Sequence, residues 1–85
     1  MKYIILYKET KIGVLEINDV GKYRYTPDET GIDSIKNTVS LNHEMLEKSD
    51  WRDPIPFFKE RIDNASRFSK TEIAYHTDFF RMVKE

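Results

Sequence analysis

The residues best equipped for chemistry in this sequence are two histidines near carboxylates: His43 beside Glu44, and His76 two positions before Asp78. Imidazole and carboxylate together could hold a divalent cation or relay a proton. A metal site needs three or four converging ligands, and these spacings supply no such set. The plainer reading is a pair of solvated or capping histidines. Nucleophilic catalysis needs a Ser or Cys set beside a base. The chain has no cysteine, and Ser34, Ser40, Ser49, Ser66 and Ser69 all fall where loops or helix caps are expected. Asp50, Asp53, Asp63 and Asp78 suit helix caps and a hydrated surface rather than an acid–base pair. Gly13, Gly21 and Gly31 stand alone, without the clustering that cradles a phosphate. The expectation is a non-enzyme with no metal and no cofactor.

The aromatic residues, 13% of the chain, say more. Most are expected in the core, with Phe58, Phe79 and at least one tyrosine of the third strand as candidates. Trp51 differs, because it lies between Asp50 and Arg52, ahead of any apolar periodicity. The plainer reading is a ring that covers the end of the core. The functional reading is an exposed anchor for a partner, with Arg52 beside it, since Trp and Arg are enriched at interface hot spots. Tyr23 and Tyr25 complete the set of candidate partner-binding residues.

The elements that must position these residues read as follows. Residues 2–8 are rich in Tyr, Ile and Leu and predict a strand. Ile12–Ile17 predicts a second, with Gly13 marking a bulge or a close backbone approach. Asn18-Asp19-Val20-Gly21 is turn chemistry. Lys22-Tyr23-Arg24-Tyr25-Thr26 alternates, with both tyrosines on one face and both cations on the other. Three strands on short turns make a meander. Pro27–Gly31 reads as a turn and loop. Within 32–49 the pattern is weak: a short element near 38–41 drawing on Ile35, Val39 and Leu41, then a helical turn near 43–48. The clearest helix spans 54–67, with Asp53 as its cap, Pro54 at its first position, and Ile55, Phe58, Ile62 and Ala65 on one face. Ser69-Lys70-Thr71-Glu72 has capping-box spacing. Tyr75, Phe79, Met82 and Val83 follow at helical period, so a final helix over 70–83 is expected, with a strand at Ile73-Ala74-Tyr75 as the alternative. The fold class is α+β: an antiparallel β meander at the N-terminus packed against two C-terminal helices, in one small domain over 1–85.

Composition bounds the function. At 85 residues with 34% charged and a net charge of −1, the chain has no field to draw in nucleic acid or an anionic membrane. No apolar run approaches the length that spans a bilayer. The short apolar run at Ile4–Tyr7 is closed by Lys8 and Glu9 and lacks a cleavage site, so a cytoplasmic location is expected. The absence of cysteine agrees with it.

Taken in order, Lys11-Ile12-Gly13-Val14-Leu15, Gly21-Lys22-Tyr23-Arg24-Tyr25-Thr26-Pro27-Asp28, Val39-Ser40-Leu41, Pro56-Phe57-Phe58 and the late Asp78-Phe79-Phe80 resemble a known family pattern. The chain is similar to the small N-terminal subdomain of the bacterial HipA-type toxin kinases, with its "vGtL" strand, "g…F.Y" strand, "SL" element and "pFF" helix. It departs from that pattern after Phe58, where Lys59-Glu60-Arg61-Ile62-Asp63-Asn64-Ala65 replaces leucines and a Pro-Glu-Gly turn. It departs again after Leu41, where Asn42-His43-Glu44 replaces an apolar run, and no kinase domain is among these 85 residues. The resemblance implies a stand-alone relative of a regulatory subdomain. Its function would be that of a non-catalytic protein-interaction module, an antitoxin-like or regulatory partner of a HipA-like kinase in a toxin–antitoxin system. Self-association stays open. The competing expectation is a small nucleic-acid-binding accessory protein, in which Tyr23 and Tyr25 stack bases between Lys22, Arg24, Arg52, Arg61 and Arg67. The balance of acids and bases speaks against it.

Overall fold

The computed structural model describes residues 1–66, 72–74 and 79–85. The chain runs β1 (Lys2–Tyr7), β2 (Thr10–Ile17), β3 (Tyr23–Pro27), α1 (Glu29–Ile35), α2 (His43–Leu46), α3 (Pro56–Ser66), β4 (Glu72–Ala74) and β5 (Phe80–Lys84). The strands form one antiparallel sheet in the order β3-β2-β1-β5-β4. The fold is α+β, and the N-terminal meander β1-β2-β3 is present as expected.

Period-two alternation sets the inner face of this sheet. Tyr3 and Ile5 of β1, Leu15 of β2, Tyr23 and Tyr25 of β3, and Phe80 and Met82 of β5 all point to one side. Ile35 of α1, Met45 of α2, Ile55 and Phe58 close over them in a single buried cluster. The register steps between Ile5 and Leu6, which pair with Gly13 and Lys11, so Ile12 is an extra residue on β2. It is fully buried. Such a bulge bends the strand and increases its twist. Gly13 beside it is also a point of close approach: a Cβ there would stand 2.5 Å from Tyr25 Cζ. The bulge thus falls at Ile12 next to the glycine, and the close approach at Gly13 is that of a side-chain ring rather than of another backbone.

α1 replaces the loop expected from Pro27 onward. Asp28 caps it by accepting from the Gly31 N–H at 2.9 Å. Gly31 is no turn glycine; it lets the helix lie on β2, since a Cβ there would sit 2.9 Å from the Lys11 carbonyl carbon. There is no strand at 38–41, where Val39 and Leu41 pack on the core from irregular chain. The helical turn expected near 43–48 is α2.

α3 starts two residues later than expected, at Pro56, and Asp53 does not cap it. The residue before a proline is pushed out of the helical region, so Pro54 and Pro56 keep Asp53 and Ile55 non-helical. The Ile55 carbonyl instead accepts from Phe58 and Lys59 at 3.0 and 2.9 Å. Ile55 and Phe58 are buried and Ile62 half-buried, as the periodicity required. The side chain of Ala65 and residue Arg67 lie outside the described residues.

The expected final helix is corrected to strand. β4 occupies Glu72–Ala74, in keeping with the alternative reading of Ile73-Ala74, and β5 occupies Phe80–Lys84. Without β5, β1 would be an edge with a row of unpaired backbone groups. Five residue pairs, from Tyr3↔Lys84 to Tyr7↔Phe80, make it the central strand. Phe80 and Met82 then enter the core at period two, which outweighs the helical spacing of Phe79, Met82 and Val83.

Candidate functional site

Residues 49–52 lie along the outer edge of β3. Tyr25 donates to Ser49 Oγ at 3.0 Å and Ser49 donates back to the Tyr25 carbonyl at 2.9 Å. Tyr23 and Arg52 exchange backbone hydrogen bonds of 2.8 and 2.9 Å as an isolated bridge. An edge strand is thus paired and shielded, and Trp51 is held between two anchored neighbours. Its N–H donates to Asp50 Oδ1 at 2.8 Å.

Trp51 is 39% exposed. Its ring does not enter the core but stacks on the Arg24 guanidinium, 4.3 Å from the ring centroid. Arg24 in turn grips Glu16 with two hydrogen bonds, 3.3 Å from Nε to Oε1 and 3.1 Å from Nη2 to Oε2. The Arg24 hydrogen bond and charge hold the Glu16 carboxyl below the usual glutamate range. Bidentate pairing fixes the plane of the guanidinium, and the guanidinium fixes the indole above it. Beside this stack lies an open depression of about 380 Å³ lined by Arg24, Lys48, Ser49 and Asp50. Arg52 is exposed, with Nε 3.3 Å from the Asp53 carbonyl. Asp53 pairs with Lys22 at 2.6 Å, and that hydrogen bond lowers its pKa.

The four residues singled out in the sequence therefore separate into two groups. Trp51 and Arg52 are exposed neighbours on the β3 edge. Tyr23 and Tyr25 are 5% and 0% exposed and belong to the core, which corrects their place among the partner-binding residues. The Tyr25 hydroxyl lies within 3.2 Å of the Ile12 carbonyl and 3.0 Å of the Met45 carbonyl, donating into the pair. Burial raises its pKa strongly, with a smaller contribution from Asp28. Alternation on β3 places the cation Arg24 on the opposite face, so no tyrosine–arginine surface exists there for stacking bases. Glu16 was missed as part of the site, and Arg24 was named only as a cation beside stacked bases, not as the support of Trp51. The signal was their matched position, directly paired across β2 and β3.

The residues first considered for catalysis stay apart. His43 forms a surface pair with Glu47, 3.2 Å away one helical turn on. His76 and Asp78 lie outside the described residues. Among the described residues no three His, Cys, Asp or Glu side chains gather as a metal site, and no helix is long and apolar enough to cross a membrane.

A small α+β sheet-and-helix domain with a fixed, half-exposed tryptophan at its edge is the class that fold and site define. No family model, no curated protein and no solved structure matches the chain.

Proposed function

We propose that the chain is a non-catalytic protein-interaction module that docks a partner through Trp51 and Arg52, and that this partner is a HipA-like kinase of a toxin–antitoxin system. The observation that carries the first part is the Trp51–Arg24–Glu16 stack. A large amphipathic ring stands in solvent with its orientation already set, so little freedom is lost when a partner covers it. Charged groups of both signs around it, Lys48, Asp50 and Arg52, suit the polar rim of a hot spot. The kinase as partner rests on the motif resemblance alone. The motif residues Gly13, Tyr25 and Phe58 build the core, so the resemblance speaks first to the fold and only through it to the partner.

The test is direct binding to a HipA-like kinase encoded next to this chain, measured by calorimetry with the wild type and with Trp51→Ala. A substitution that weakens binding without lowering the melting temperature supports the reading. Wild-type protein that does not bind the kinase removes the kinase as partner, and binding untouched by Trp51→Ala removes the anchor.

A further inference from the structure

The sheet face turned away from the helices is laid out in rows that cross the strands. One row is apolar. Val14, Ile4 and Val83 are successive partners on β2, β1 and β5, and Leu6 lies two residues further along β1. All four are half-buried, and none is among the side chains packed on the core. The adjacent row is charged. Arg24 on β3 pairs with Glu16 on β2, and Glu16 pairs with Lys2 on β1. Glu85 follows, its N–H donating to the Lys2 carbonyl at 2.8 Å. The side chains are in contact along this row, Arg24 to Glu16 at 3.1 Å and Lys2 to Glu85 at 3.7 Å. The signs alternate strictly across β3, β2, β1 and the residue that follows β5.

An antiparallel sheet with one solvated face normally places polar residues there. Here an isoleucine, a leucine and two valines occupy the middle, while the buried side chains of the described helices all join the opposite face. The charge row states what fits on top. If a second copy is turned over about an axis parallel to the strands, between β1 and β2, the order of each row is reversed. Arg24, with the Trp51 ring stacked on its guanidinium, then lies opposite Glu85 of the other copy at the rim, and Glu16 faces Lys2. The apolar row puts Val14 over Ile4, and Val83 over Thr26 of β3 at the rim. A row reading plus, minus, plus, minus is complementary to its own reversal, and isologous two-fold pairing requires that property.

We propose that this face is a homodimer interface, in which two copies pack sheet on sheet with the two-fold axis along the strands between β1 and β2. The sheets stand about 10 Å apart, as in aligned sheet packing. Four strands and three rows, the third carrying Leu6 between Lys11 and Arg81, give about 400 Å² of flat area per copy. That is the scale of a weak, reversible dimer, not an obligate one. The inference rests neither on the Trp51 anchor nor on a kinase partner.

Sedimentation equilibrium from the micromolar to the millimolar range tests it. The wild type is expected to pass from monomer to dimer. Lys2→Glu alone and Glu16→Lys alone each create two like-charged contacts per dimer and should raise the dissociation constant at least about tenfold. An equimolar mixture of the two variants should recover dimer, because every facing pair in the mixed species has opposite signs. The double variant K2E/E16K should recover it too, although its ion pairs within each copy have become like-charged. Effects arising only within the chain would make the double variant the worst of the set and leave the mixture no better than its components. Val83→Asp, which strikes the apolar row away from both ion pairs, should be monomeric while melting as a folded protein. A wild type that stays monomeric throughout, or a mixture that fails to recover dimer, overturns the proposal.

Discussion

The ring of Tyr25 lies across Gly13 on the neighbouring strand so closely that the glycine has no room for a single methyl group. The two are diagonal neighbours, since Tyr25 pairs with Leu15 and Gly13 with Pro27. From there the Tyr25 hydroxyl reaches the Ile12 and Met45 carbonyls and ties β2 to α2. Gly13→Ala should displace the ring and cost about 2–3 kcal/mol. Urea denaturation checks this; a midpoint within error of wild type would mean that the ring has another place to go.

Phe58 holds α3 to the sheet. It is fully buried, 5.3 Å from both the Tyr25 and the Phe57 rings. Phe58→Ala should cost about 3–5 kcal/mol, a large share of what so small a domain has. An unfolding transition that barely moves would contradict the packing of α3.

Stability should fall at alkaline pH. Burial raises the Tyr25 phenol well above its usual value, and raises Tyr3 and Tyr23 in the same direction. A group whose pKa is higher folded than unfolded stabilises fully below the unfolded pKa, about 10 for tyrosine. That stabilisation is lost as pH climbs beyond it. Urea midpoints should therefore drop above pH 10, and drop less steeply in Tyr25→Phe than in wild type. Glu16 has the opposite sign. Its carboxyl is lowered by Arg24, so its contribution is present above the usual glutamate pKa and fades as pH falls below it. Glu16→Gln should flatten the acid limb of the same measurement.

The legible parts of this fold were the ones with a local signature. The alternation of Tyr23 and Tyr25 located β3 and its two faces, and Ile55, Phe58 and Ile62 located α3. α1 was hidden because its glycine is placed for a contact with Lys11, far away in sequence, rather than for a turn. β5 was hidden because Phe79, Met82 and Val83 also fit a helical period, and only the need of β1 for a second neighbour decides between them. The site was half legible for the same reason. Trp51 was conspicuous from its polar neighbours, but the Arg24 beneath it becomes visible only when residues 49–52 are laid along β3.

Trp51 should behave as a surface residue in the free protein. Its emission should be quenched readily by acrylamide, and Trp51→Ala should leave the melting temperature nearly unchanged, because the ring lies on a guanidinium and not in the core. Arg24→Ala, by contrast, frees both the indole and Glu16, and should make the fluorescence more accessible still.

The most direct measurement is the affinity of the wild type and of Trp51→Ala for a HipA-like kinase, the partner proposed for it, with the melting temperature of each recorded under the same conditions. A hot-spot anchor loses about 2 kcal/mol or more of binding on truncation to alanine, so a loss of that size at an unchanged melting temperature is expected. Equal affinity of the two proteins, or a loss of binding that only tracks a fall in melting temperature, would contradict a docking role for Trp51.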